Sequence, residues 1–304
     1  MNCVLSVYPL VGRRPPEEAQ RILRGASELP ESAPWEVAWL SAGWGELPWA
    51  SALGARREVI VTTMPRVVAE FRSGAGIAAH DADDRARGLA AVSELRDAVA
   101  ALHDSVGRRV VRGVMIHAAP RRETWSGEAL EASLAEIASW DWQGADLMLE
   151  HVDALMPSHE PAKGFGVLEA EIAAIRASGV PIRIALNWGR SAIELRDGEL
   201  VRNHVDEVRD AGLLAGMMFS GVSSDTTGWG APFADGHLPS ELTEPASMLS
   251  TSRIEAAVEA TRGEGFLGVK MTWPNIEADA ALAALGAEID QVRAIAAASG
   301  RPAR

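Results

Sequence analysis

Two lysines, Lys163 and Lys270, stand among 29 basic residues, the rest being arginine. Lys270 lies in Gly265-Phe266-Leu267-Gly268-Val269-Lys270-Met271-Thr272-Trp273, an apolar run with the composition of a buried strand. Where arginine supplies nearly all the positive charge, a lysine inside a strand meets a need that arginine cannot. A desolvated amine can lose its proton and act as a base or a nucleophile, whereas a guanidinium stays charged. The alternative role is structural: an ammonium paired with a buried carboxylate, or one snorkelling from a strand end. Other chemistry-bearing side chains close similar runs. Glu150 ends Asp146-Leu147-Met148-Leu149-Glu150, His117 ends Val114-Met115-Ile116-His117, Asn187 ends Ile184-Ala185-Leu186-Asn187, and Ser220 ends Met217-Met218-Phe219-Ser220. Tyr8, the one tyrosine, closes the first run. Glu150 with Lys270 is the sharpest pairing, because a carboxylate and an amine at one mouth perturb each other's protonation, which is how sites obtain a base or a nucleophile.

Regular elements must bring these residues together. Strands are expected at 3–8, 35–41, 58–63, 110–117, 146–150, 182–187, 213–220 and 266–272. Helices are expected at 16–28, about 49–55, 84–105, 127–140, 167–177, 200–210, 252–262 and 278–298. Pro15-Pro16-Glu17-Glu18 is a good first turn. Gly179 and Gly212 mark helix stops before the next strand. Eight strand–helix units with near-continuous apolar strands predict a single (β/α)8 TIM barrel over residues 1–304, with a doubly wound sheet as the alternative. Long connections follow strand 3 (66–83), strand 5 (151–166) and strand 7 (221–251), and connections of that length are usually functional. All three fall on the face where barrel enzymes build their sites. Strand alternation places the polar residue of each strand on its less apolar face, at the C-terminal end, with Glu36 and Thr62 as further inward candidates.

Ten tryptophans stand beside five phenylalanines. Trp44, Trp49, Trp125, Trp188, Trp229 and Trp273 fall just after predicted strands. Indole faces there can stack on the C–H faces of sugars or on cations, so Trp44, Trp188, Trp229 and Trp273 join Tyr8, Asn187 and Ser220 as substrate-binding candidates. The long loop after strand 7 carries Asp225, Asp235, His237 and Glu244, with glycines that allow hinging. From it, His237 is an acid/base candidate on a closing lid. His103 and His204 fall on helices and are expected to face solvent.

A net charge of −13 argues against nucleic acid and anionic membranes as partners. No apolar run is long enough to span a bilayer, and the N-terminus lacks the basic region of a signal peptide, so the expected compartment is the cytoplasm. One cysteine rules out an internal disulfide and a cysteine-based zinc cluster. No dinucleotide fingerprint or P-loop is present, so no nucleotide cofactor is expected. The outer helices of a barrel offer surfaces for a homodimer.

The stretch Leu147-Met148-Leu149-Glu150-His151-Val152-Asp153-Ala154 resembles the fifth strand of the xylose isomerase-like TIM barrels, a superfamily of sugar isomerases, epimerases and some endonucleases. The resemblance implies that Glu150 is a metal ligand and often a base. The chain as a whole also resembles a bacterial family of unassigned function, most distinctively in His237-Leu238-Pro239 and Glu244-Pro245-Ala246-Ser247. Metal-dependent members need acidic or histidine ligands from strands 6, 7 and 8, where this chain offers Asn187, Ser220 and Lys270. An ammonium at a ligand position repels a divalent cation. A three-ligand metal site of Glu150, His117 and His237 stays open as an alternative. The leading expectation is an isomerase or epimerase of a sugar or sugar acid. In it Glu150 is the base, Lys270 steadies an enolate oxygen, His117 or His237 carries the second proton, and Asn187 binds a hydroxyl. The alternatives are a Schiff-base aldolase or lyase through Lys270 and a barrel that binds carbohydrate without turnover.

Overall fold

Runs of branched and long aliphatic residues become the strands, and the helices begin at polar caps. The computed structural model of the protein describes residues 3–12, 14–29, 33–39, 49, 52–70, 74–274 and 276–300. Along the chain come β1 (Cys3–Ser6), α1 (Tyr8–Val11), α2 (Pro16–Glu28), β2 (Trp35–Ala38), β3 (Val59–Thr62), α3 (Met64–Glu70), α4 (Ala82–Val106), β4 (Val111–Ile116) and α5 (Gly127–Ala138). Then follow β5 (Asp146–Glu150), α6 (Leu168–Ser178), β6 (Arg183–Asn187), α7 (Trp188–Leu195), α8 (Val201–Asp210), β7 (Leu214–Phe219), α9 (Thr251–Ala260), β8 (Phe266–Val269) and α10 (Ala278–Ala298). The eight strands close into a barrel in chain order, parallel throughout their described pairings, as expected of a (β/α)8 fold.

The chain divides into two compact units. One comprises Met1–Glu36, Leu47–Glu58 and Leu186–Arg304; the other comprises Val37–Glu46 and Val59–Ala185. In the first, β1 lies between β2 and β8, with Ser6 opposite Glu36 and Val4 opposite Gly268. A Cβ on Gly268 would lie 2.4 Å from the Met218 sulfur and 2.8 Å from the Val4 carbonyl oxygen, so only glycine fits between the neighbouring strands. All six residues of β7 are buried. Phe219 and the two methionines before it are 0% exposed, and each contributes about 1.5–3 kcal/mol through burial. In the second unit β3, β4 and β5 pair in sequence, with Thr62 opposite Met115 and Met115 opposite Met148. Asp81 caps α4 by accepting from the Asp83 and Asp84 amides, and Gly107 at φ 72° ends it.

Several expectations are corrected here. The connection after β3 opens with a helix, α3, so the loop there is shorter than expected. Strand β6 runs directly into α7, because the Asn187 side chain accepts from the Arg190 amide and starts a helix at once. Strand β1 stops at Ser6, since Pro9 sits in the first turn of α1. The described residues of 49–55 form turns. His103 and His204 are buried rather than solvated. The His103 Nε2 accepts from the Val111 amide at 3.0 Å, and the His204 Nδ1 lies 3.1 Å from the Ser191 hydroxyl. Among the described residues no helix is long and apolar enough to cross a membrane.

Candidate functional site

In the second unit, three residues at consecutive strand ends form a hydrogen-bonded chain. Thr63 follows β3, His117 follows β4, and Glu150 ends β5. The His117 Nε2 lies 2.7 Å from the Glu150 Oε2, with both side chains fully buried. The His117 Nδ1 lies 2.8 Å from the Thr63 Oγ1, which also reaches the Met115 carbonyl at 3.3 Å. A threonine hydroxyl carries one hydrogen. If that hydrogen goes to Met115, the Nδ1–H donates to Thr63; if it goes to Nδ1, the Nε2–H donates to Glu150. In the second arrangement the imidazole donates to the carboxylate across a distance short enough for a proton to pass; in the first, the two share a hydrogen bond only when Glu150 is protonated or the imidazole carries both hydrogens. Thr63 and His117 also line a cleft of about 30 Å³, together with Trp39, Arg66, Gly76 and Ala119. The Arg66 guanidinium lies over the Trp39 ring, 5.6 Å from its centroid, and pairs with the Glu70 carboxylate at 2.6 Å. Next along the chain, His151 pairs with Glu171 at 2.8 Å, both buried, which fastens α6 to the end of β5.

The first unit holds a second group. Lys270 follows β8, and its Nζ meets the Glu36 Oε1 at 2.8 Å with both side chains 0% exposed. The Tyr8 ring lies 5.2 Å from the same Nζ. Lys270 thus has a carboxylate partner on β2, beside the Glu150 partnership expected from the strand ends. Asn187 and Ser220 come together: the Ser220 hydroxyl donates to the Asn187 Oδ1 at 2.7 Å. The His237 Nδ1 lies 3.4 Å from the Ser220 Oγ and 3.3 Å from the Asp235 Oδ1, and the Arg190 Nε lies 3.2 Å from the Asp235 Oδ2. A Cβ on Gly189 would lie 2.8 Å from the Ser220 carbonyl oxygen, so the first turn of α7 packs directly on this group.

The tryptophan candidates divide. Trp188 is 0% exposed, its indole seated against Gly198 and Arg253, and Trp273 is buried. Neither indole is open to solvent here. Trp229 is partly buried and donates from Nε1 to the Thr272 carbonyl at 2.8 Å. Trp44 lies outside the described residues. Sequence reasoning missed Thr63 and Arg190. Arg190 was concealed because α7 was not anticipated; the signal was its place three residues after a capping asparagine.

The ends of β6, β7 and β8 carry an amide, a hydroxyl and an ammonium, and the ammonium is paired with the Glu36 carboxylate. Among the described residues no group of three or more His, Cys, Asp or Glu side chains is placed to hold a metal ion.

Solved structures with this fold include a xylose isomerase domain protein from Alicyclobacillus acidocaldarius (12% identity, TM-score 0.57, covering 98% of this chain and 99% of that one). The IolI protein with a bound zinc atom is similar at 11% identity and TM-score 0.64, covering 97% and 99%. D-allulose 3-epimerase from Methylomonas sp., in complex with D-allulose, is similar at 14% identity and TM-score 0.57, covering 96% of each chain. At these identities the likeness concerns the fold. An uncharacterized protein of Salmonella typhimurium strain LT2 is 32% identical over 212 residues, which span 68% of this chain and 66% of that protein, just under two thirds of its length. The model of the family described as a domain of unknown function, DUF4862, matches residues 4–284, and the chain belongs to that family.

Proposed function

We propose that the protein is an enzyme that isomerises or epimerises a sugar or sugar acid by moving a proton at the carbon beside a carbonyl. The observation that carries this reading is the buried His117–Glu150 hydrogen bond of 2.7 Å, held from behind by Thr63. Glu150 takes the substrate proton as general base, and His117, already sharing a proton with it, relays that proton. Lys270 keeps an ammonium, of whose three N–H donors Glu36 takes one, and its charge steadies an enolate oxygen. His237 carries the second proton, and Asn187 and Ser220 bind a substrate hydroxyl. The fold shared with an epimerase supports the class.

The test is deuterium exchange. Ketohexoses, aldoses and sugar acids are incubated with the protein in D2O, and incorporation beside the carbonyl is read by mass spectrometry and NMR. A substrate should gain deuterium even without net conversion, and Glu150→Gln should slow the gain by about 10²–10⁴-fold. Undiminished exchange in that variant would show that Glu150 is not the base. Saturable binding of a sugar with no exchange would favour a barrel that only binds carbohydrate. A Schiff base at Lys270 needs the neutral amine, and a carboxylate at 2.8 Å favours the ammonium instead. Borohydride with a keto sugar acid is therefore expected to leave Lys270 unmodified.

A further inference from the structure

The hydrogen bonds around His237, which begin at a backbone amide in α7, fix which of its nitrogens carries the hydrogen. The Arg190 N–H can only donate, so the Asn187 side-chain atom 3.3 Å from it is the amide oxygen, Oδ1. An amide oxygen can only accept, so the Ser220 hydroxyl, 2.7 Å from the same Oδ1, points its hydrogen at Asn187. That hydroxyl therefore turns a lone pair toward the His237 Nδ1, 3.4 Å away. The second neighbour of Nδ1 is the Asp235 Oδ1 at 3.3 Å, and the Arg190 guanidinium beside Oδ2 favours the ionised carboxylate. Both neighbours of Nδ1 are acceptors. In neutral His237 the hydrogen is then on Nδ1 and the lone pair on Nε2, the reverse of the form that a histidine side chain favours in water.

The backbone holds the ring in this place at some cost. His237 sits at φ 52°, a region that non-glycine residues visit rarely. It is kept there by Thr272, whose amide donates to the His237 carbonyl at 2.9 Å and whose hydroxyl donates to the Gly236 carbonyl at 2.8 Å, and by the bridge between Gly221 and Leu238. Backbone strain kept in place by several bonds is often found where a side chain must be aimed. The other end of the relay is the Asn187 Nδ2. Its amide orientation is fixed by Arg190 and Ser220, the residue is 1% exposed, and Nδ2 has no hydrogen-bond partner among the described residues. An unmet buried donor is costly unless a ligand meets it.

We infer that Arg190 and Asp235 are positioning residues which, with Ser220 and Asn187, hold neutral His237 as its Nδ1–H tautomer, so that Nε2 takes up the second proton, from a substrate hydroxyl, while the Asn187 Nδ2 holds a substrate oxygen. The substrate this relay fits carries a hydroxyl or carbonyl oxygen that accepts from Nδ2. The inference rests on the reading of His237 as a proton carrier given above, and names the groups that make it one.

The test needs no substrate. Protein labelled with [15N]histidine is examined at pH 8 by long-range 1H–15N correlation, and His237 is assigned by its loss in His237→Gln. The expected result is a protonated Nδ1 and an unprotonated Nε2. In the double variant Asp235→Ala, Ser220→Ala, which removes both acceptors, the population should move toward Nε2–H. Wild type already in the Nε2–H form would overturn the inference, as would a double variant that keeps Nδ1–H. The wild-type spectrum decides the question even where the double variant fails to fold. Failure of the underlying reading has a separate mark: if deuterium exchange into a substrate survives His237→Gln while the Nδ1–H form stands, the relay is real and the proton carrier is another group.

Discussion

Replacing Lys270 tests whether its charge is bound into the fold as tightly as the geometry implies. Its Nζ is 2.8 Å from the Glu36 Oε1, and neither side chain is exposed. Lys270→Met keeps most of the stem and removes the ammonium, leaving Glu36 buried without that counter-charge. Breaking a buried pair from one side costs about 3–5 kcal/mol, because the remaining charge has lost its compensation and cannot reach water. The contact of the ammonium with the Tyr8 ring, at 5.2 Å, is lost as well and adds on the order of 1 kcal/mol. At about 2–4 °C per kcal/mol for a large domain, the combined loss of about 4–6 kcal/mol should lower the melting temperature by about 8–24 °C. Glu36→Met should cost a similar amount. The double variant Glu36→Met, Lys270→Met should be far less damaged than the two single effects added together, since a pair replaced by apolar groups is often close to neutral. The assay is urea unfolding followed by tryptophan fluorescence, with Trp35 fully buried next to Glu36 as one reporter. Single effects that add within about 0.5 kcal/mol, the range for independent sites, would refute the pairing. They would return Lys270 to the role of an amine free to react.

Other perturbations follow from individual positions. Burial pushes the Glu288 carboxyl above the usual carboxylate range, opposed by hydrogen bonds from Thr243 and Ser240. A raised acid costs the folded state nothing below its unfolded value and destabilises it as pH rises. Glu288→Gln, whose amide oxygen can keep both bonds, should therefore raise the melting temperature at pH 8 and lose that advantage near pH 4; an equal gain at both would refute the cause. Burial, helped by the nearby Arg109 charge, pushes His103 below the usual histidine range, and its Nε2 accepts from the Val111 amide. Stability from this residue is present above pH 6.5 and is lost as pH falls through the lower folded value. His103→Gln should accordingly flatten the stability–pH curve between pH 7 and 5. Two helix glycines should respond oppositely to alanine. Gly286 in α10 has open space where a Cβ would stand, so Gly286→Ala should add about 0.5–1 kcal/mol. A Cβ on Gly88 in α4 would lie 2.4 Å from the Gly76 backbone, so Gly88→Ala should cost about 1–3 kcal/mol or more in thermal melts.

The barrel was legible because its signals are local and repeated. Apolar runs of strand length alternate with capped helical stretches, and α2, β5 and α10 fall within the residues that their patterns mark out. What was not legible were short helices set by one side chain, such as α7, whose start depends on Asn187 reaching the Arg190 amide. That bond is tertiary in character, because the same Asn187 oxygen also receives Ser220 from the end of β7. The tryptophans divide for a related reason. Position after a strand places a side chain near the C-terminal face, but whether its ring lies open or folds back depends on the next turn of chain, and α7 carries Trp188 inward onto Gly198.

The site residues follow the same division between type and partner. Strand alternation identifies Glu150, His117, Asn187, Ser220 and Lys270 as polar groups at strand ends, and the structure keeps all five buried. Alternation cannot say which buried charge meets which. Glu36 is a single polar residue in Trp35-Glu36-Val37-Ala38, and only the pairing of β1 with β2 on one side and β8 on the other brings it to Lys270. Once that pair is made, the chemistry divides by charge. Lys270 and Arg190 each face a carboxylate, Glu36 and Asp235, and so both are held as fixed cations. The proton carriers proposed above stand against groups that can share a hydrogen: Glu150 with His117, and His237 with Ser220. Exchange measurements on Glu150→Gln and His237→Gln would separate the two proton carriers.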